Sequence, residues 1–253
     1  MKPMSVYEIR SISQVGTSEP FELQVARGQI PGHYRLHKFG FNPLINESEE
    51  TVWEAGGIYT YPSSAVKMTA TSTDGANDED VQVTIQGLDA DYNQISETVT
   101  LNGSGTQETD SFFLRVFRAF IEGSQEPSGT INITNTGTTY ARITLGENQT
   151  LMCVWTVPAG YTAYLFQKDV TCLTEANNKF GTLRLISKKI SGVFRTHDKF
   201  SLQNAHTEIV FAAPLPFTEK TDIEIRAVGS SSNSALHVSA ALDIVYIKND
   251  SRL

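Results

Sequence analysis

From residue 51 onward, apolar and polar positions alternate in short runs separated by turn residues, the pattern of half-buried antiparallel strands rather than helices. Val66, Met68 and Ala70 alternate with Lys67, Thr69 and Thr71 ahead of an acidic, turn-rich stretch at 74–80. Val81, Val83 and Ile85 then alternate with polar partners, LDADYN supplies a turn, and Ile95, Val99 and Leu101 return along a hairpin before Asn102-Gly103. Residues 112–123 fit either a strand or a helix by period; their aromatic and β-branched content, with Gly123 behind it, assigns a strand. Short strands over 129–146 complete a set spaced as in a sandwich. After a boundary near 146–148, further short strands run to a final alternation over 235–247. There Leu242, Ile244 and Tyr246 alternate with Ala241, Asp243 and Val245, so one face of the last strand is more fully covered than on the strand at 222–229, where Ile223 and Ile225 alternate with charges.

The first fifty residues behave differently. Pro20, Pro31 and Pro43, with Gly28, Gly32 and Gly40, interrupt regular structure, yet the segment is rich in Phe, Leu, Ile and His rather than in Ser and Glu. Spaced apolar residues on an extended chain predict an arm lying along another surface, with pockets taking Phe21, Leu23, Ile30, Phe39 and Phe41 and with His33 among them; packing of the segment onto its own domain is the alternative. The predicted fold is therefore all-β, with an extended N-terminal arm (1–50) followed by two β-sandwich or jelly-roll-like domains (51–146 and 147–253).

Composition removes function classes more readily than it adds them. The 253 residues carry 20 Lys and Arg against 28 Asp and Glu, a formal charge of −8, so the basic footprint of a nucleic-acid reader is missing. No apolar run reaches the roughly 18 residues of a membrane helix, and the first residues lack the apolar core of a secretory signal, so neither a membrane nor a nucleic-acid partner is expected. Cys153 and Cys172 have no neighbouring His or Cys cluster and read as buried thiols. His33 and His37 have the spacing of two ligands on one helix face, but Pro31-Gly32, Gly40 and Pro43 oppose a helix there, so no metal is expected. The acidic residues at 74–80 do not follow the order of a calcium loop. Neither a nucleophile elbow nor a phosphate-cradling glycine loop occurs, and nothing selects a catalytic pair of carboxylates. No catalytic residue and no cofactor is expected. Trp53 and Trp155, the candidates for a carbohydrate-stacking platform, lie within apolar alternation and read as core.

Several blocks together resemble a family of tailed-phage virion proteins common in marine and cyanobacterial phages: FGFNP (39–43), TVWEAGGIYTYPSSAVKMTATSTD (51–74) and IQGLDADYNQISETVTLNG (85–103). LRVFRAF (114–120), GENQTLMCVWTVPAGYTAYL (146–165), GVFRTHDKF (192–200) and LPFTEKTDIEIRAV (215–228) look like later blocks of the same family. The resemblance implies a non-enzymatic particle component, assembled in the host cytoplasm. Its layout is similar to that of head decoration or cement proteins, in which a trimeric β-domain sits on the outer surface of the head and an arm runs over the major capsid protein. The implied partners are then the major capsid protein and further copies of the chain, as a homotrimer. A tail or fibre-adaptor protein, and a carbohydrate-binding module, remain open alternatives.

Overall fold

Antiparallel strands are nearly all of the regular structure in a computed structural model that describes residues 19–103, 105–174, 179–231 and 236–249. The first sandwich is made from consecutive segments. One sheet has the order β6 (Thr106–Phe113), β3 (Val66–Ser72), β8 (Ile131–Asn135), β9 (Thr138–Ile143); the other has β5 (Gln94–Thr100), β4 (Gln82–Leu88), β7 (Arg115–Glu122). The hairpin read from the sequence pairs Gln82 with Thr100 through Leu88 with Gln94. The ambiguous 112–123 stretch is strand, split at Leu114 between β6 and β7. Val83, Ile85, Met68, Ala70, Phe113 and Ile133 meet between the sheets without exposed surface. Full burial of each Val, Ile, Met or Phe side chain among them stabilises the fold by roughly 1.5–3 kcal/mol.

The second sandwich draws on both ends of the chain. Its first sheet has the order β1 (His33–Ile45), β16 (Leu236–Lys248), β11 (Tyr161–Leu173), β14 (Ala205–Phe217). Its second has β10 (Val154–Thr156), β15 (Asp222–Gly229), β12 (Gly181–Lys188), β13 (Arg195–Leu202), with β2 (Glu50–Thr51) also paired to β15. The chain thus leaves this sandwich after β2, builds the first one, and returns at β10.

This placement corrects the expected arm. Residues 33–45 are an edge strand in register with β16 from His33 opposite Ile247 to Ile45 opposite Leu236. Pro31 and Gly32 precede the strand, and Pro43 lies where the register shifts between Asn42 and Ile45, as an edge position allows because no ladder hydrogen bond is lost there. Residues 21–26 are a short helix, α1 (Phe21–Ala26), and not extended chain. Residues 1–18 of the expected arm lie outside the described residues.

The two sandwiches share their boundary. Met152 and Val154 enter the first core while Cys153, Trp155 and Val157 enter the second, so this apolar run is covered on both sides. Trp53 and Trp155 are buried, Trp53 donating its Nε1 hydrogen to Gly57 O at 3.0 Å, which removes both from any carbohydrate platform. The charges of β15 are buried as well. Arg115 of β7 grips Asp222 with two hydrogen bonds, Nε to Oδ1 at 2.8 Å and Nη2 to Oδ2 at 3.1 Å, and Thr156 Oγ1 adds a third to Oδ1 at 2.7 Å. Beside it, Glu224 accepts from Arg226 and from Thr51 Oγ1. Burial pushes the Glu224 carboxyl above the usual range, against the downward pull of those two donors.

Candidate partner-binding face

β1 has two unlike sides because of what lies beneath it. A Cβ on Gly40 would fall 2.3 Å from Cys153 N and 2.4 Å from Val52 O, so only glycine lets the strand approach the 152–153 segment. With Gly40, Lys38 and Asn42 turned inward, Phe39 and Phe41 stand half-buried on the outer side. Opposite residues of antiparallel strands share a face, so register extends that outer side across the sheet. Phe39 is level with Ala241, Asp169 and Glu208; Phe41 with Ser239, Thr171 and His206; His37 with Asp243, Gln167 and Val210.

The floor between the phenylalanines is made of small side chains. Phe39, Phe41 and Leu151 wall a depression of about 350 Å³ over Gly40, Ser239 and Ala241. The other half of the face carries α1. Val25 and Ile30 are buried against Phe166, Val245 and Ile247, and Phe21 meets the rings of His33 at 6.0 Å and Phe166 at 6.4 Å. A second groove, of about 520 Å³, runs beside the helix past Leu23, Phe166 and Val210.

The six residues singled out in the sequence therefore share one sheet face, in different roles. Ile30 and His33 are buried and hold α1 down, His33 Nδ1 lying 3.1 Å from Pro31 O. Phe21 and Leu23 remain exposed on the helix, and Phe39 and Phe41 flank the depression. Four of the five histidines also belong here: His33, His37, His206 and His237. His37 Nδ1 and Arg35 Nη2 lie 3.0 and 3.1 Å from Asp243 Oδ1, and His206 Nε2 lies 3.5 Å from Asp169 Oδ1. On a strand, His33 and His37 are separated by about 13 Å, too far to share a metal ion. Sequence reading missed Phe166, Val210, His206 and His237 because only the strand order places them beside β1.

The acidic stretch at 74–80 has a structural occupation. Asp78 is buried and accepts from Ser72 Oγ and from the amides of Ser128 at 2.5 Å and Gly129 at 3.1 Å, pinning the loop to the chain ahead of β8.

No protein family matches the sequence, and no curated protein matches it significantly. Among solved structures, the chain is similar to that of the infectious bursal disease virus Gt strain, at 12% identity over 92% of this chain and 79% of that one, with TM-score 0.24. It is also similar to the infectious bursal disease virus VP2 subviral particle, at 10% identity over 92% and 79%, with TM-score 0.26. Scores this low do not define a common fold, and the two-sandwich architecture stands on the strand pairing described above.

Proposed function

We propose that the protein is a non-enzymatic structural component of a tailed-bacteriophage particle, a decoration or cement protein of the head that attaches through the outer face of the β1–β16–β11–β14 sheet. The observation that carries this reading is the convergence of Phe21, Leu23, Phe39 and Phe41 on one partly uncovered face with a small-residue floor. The sequence blocks that resemble phage virion proteins support it. An acidic chain of net charge −8 gains little from charge attraction to another acidic surface, so attachment rests on apolar contact. Repetition over a lattice then multiplies weak single contacts into tight binding. The partners in this reading are the major capsid protein and the chain itself, as a homotrimer.

The test is reconstruction of intact particles with the copy number of the chain measured in parallel. Density on the outer head surface, at a copy number matching the head lattice, is expected. A single symmetric ring at the tail would replace the head assignment with the tail or adaptor alternative. Absence of the chain from purified particles would overturn the reading.

A further inference from the structure

We propose that the cleft where β1 meets β7 is an anion-binding site, built by Lys38 and Arg118 for a phosphate or carboxylate group. The cleft holds about 190 Å³ and is lined by Lys38, Phe39, Gln86, Phe117, Arg118 and Gln149 among others, with no carboxylate in its walls. In a chain with more acids than bases, two cations facing one acid-free cleft are an exception to the composition. Its size suits a single anionic group, and it is smaller than the roughly 300 Å³ at which sites for drug-sized ligands begin.

The backbone is shaped to place the lysine. On β4, Gln86 pairs with Arg118 and the next residue, Gly87, pairs with Val116, so Phe117 is an extra residue bulged out of the ladder. Its carbonyl is the acceptor for Lys38 Nζ. Gly87 permits this, since a Cβ there would lie 1.9 Å from Arg115 O. Lys38 is 6% exposed and has no ion pair among the described residues, and an ammonium with one carbonyl partner keeps donor capacity for a further acceptor. Arg118 is exposed, its Nη2 donating to Gln149 Oε1 at 3.3 Å and its guanidinium lying 4.5 Å over the Phe120 ring. Gln86, Gln149 and Thr150 supply neutral polar groups around the two cations. No carboxylate in the walls compensates the charge of the site: burial, opposed by Cys153 and aided more weakly by Arg118, lowers the Lys38 amine to about 7, while the Cys153 thiol behind it is pushed up to about 12 by its own burial. An anion between Lys38 and Arg118 reverses that imbalance, and the binding energy adds to the stability of the folded chain.

The anion has two sources, a free small ion or an acidic side chain of a second copy, and the experiment separates them. The full chain, Lys38→Met and Arg118→Gln are compared by thermal unfolding at constant ionic strength, with inorganic phosphate or acetate replacing chloride, and by sedimentation. For a free ion, the parent chain gains about 3 °C in midpoint at saturating phosphate. Lys38→Met abolishes that gain and Arg118→Gln reduces it. For a second copy, phosphate has little effect on the midpoint, and self-association of the parent chain weakens in both variants. Arg118→Gln changes an exposed side chain and keeps the fold, so it remains informative if Lys38→Met is unstable. A parent chain that neither responds to the anions nor self-associates overturns the proposal, as do responses and association equal in all three proteins. None of these readouts involves particles, so this test and that of the attachment face fail independently.

Discussion

The two sandwiches are of similar size and built in opposite ways. In the first, strands pair mostly with near neighbours in sequence, and the core of Met68, Val83, Ile85, Phe113 and Ile133 contains no charge. In the second, β1 pairs with β16 across most of the chain, and charged groups lie inside. Lys168, on the inner side of β11, is paired with Asp198 of β13 in the facing sheet and lies 4.5 Å over the Phe200 ring, while Arg115, Asp222, Glu224 and Arg226 fill the boundary with the first sandwich. The centre of the first sandwich is apolar, with the buried Asp78 carboxylate held at its margin by Ser72 Oγ and the amides of Ser128 and Gly129. The second depends on charges that must find partners, because a buried charge without one is costly.

Removing a partner from the boundary should have the largest effect. Asp222→Ala leaves the Arg115 guanidinium and the Lys188 ammonium, 3.4 Å from Asp222 Oδ2, without their carboxylate and should destabilise the chain by about 3–5 kcal/mol. Calorimetry should show one transition for the parent chain and two for this variant, the first sandwich melting by itself. One shifted transition would mean that the shared strand segment at 152–157, and not the ion pair, couples the sandwiches.

Matched core truncations come next. Ile85→Ala in the first sandwich and Ile225→Ala in the second should each cost about 3 kcal/mol in denaturant unfolding, since both side chains are fully buried. A much smaller cost for Ile225 would show that the charges, not the apolar layer, hold the second sandwich.

Lys38 supplies a smaller, pH-dependent contrast. Its amine is lowered to about 7 in the folded chain, so between that pH and about 10.5 the unfolded state binds more protons, and stability rises with pH across the window. The groups facing it are Arg118, whose positive charge adds to the lowering, and Cys153, whose thiol burial pushes up to about 12. Lys38→Met should be the more stable protein near pH 7 in anion-free buffer, and its advantage should shrink toward pH 10. A constant difference would show that the folded amine keeps the ordinary lysine value, charged and solvated across the window.

The smallest effect on stability should come from the attachment face. Phe39→Ser with Phe41→Ser changes half-buried side chains on an outer surface and should cost no more than about 1–2 kcal/mol. It should nonetheless abolish co-sedimentation with particles, and unchanged binding would remove this face from the proposed function.

Legibility in the sequence follows the same division. The β4–β5 hairpin could be read directly because its turn and both alternating strands are contiguous. β1 could not, because an edge strand tolerates Pro43, and the partner that makes it a strand lies at 236–247. Helix α1 is six residues long, too short to impose a period, and it forms where Val25 and Ile30 find Phe166 and Val245 on the sheet. Alternation of Ile223 and Ile225 with charges showed one apolar side of β15; the burial of its other side depends on Arg115 from a different sandwich. For the face, the sequence pointed to the apolar residues that matter but not to their mutual arrangement, which depends on strand order.

The path of the chain out of the second sandwich after β2 and back at β10 also sets an order of events during synthesis. β1 leaves the ribosome long before β16, the full-length neighbour it has among the described residues. The first sandwich can close while β1, with Leu36, Phe39 and Phe41, still waits unpaired. That waiting edge is the point at which the nascent protein is most exposed to wrong pairing, including with the β1 of another growing copy.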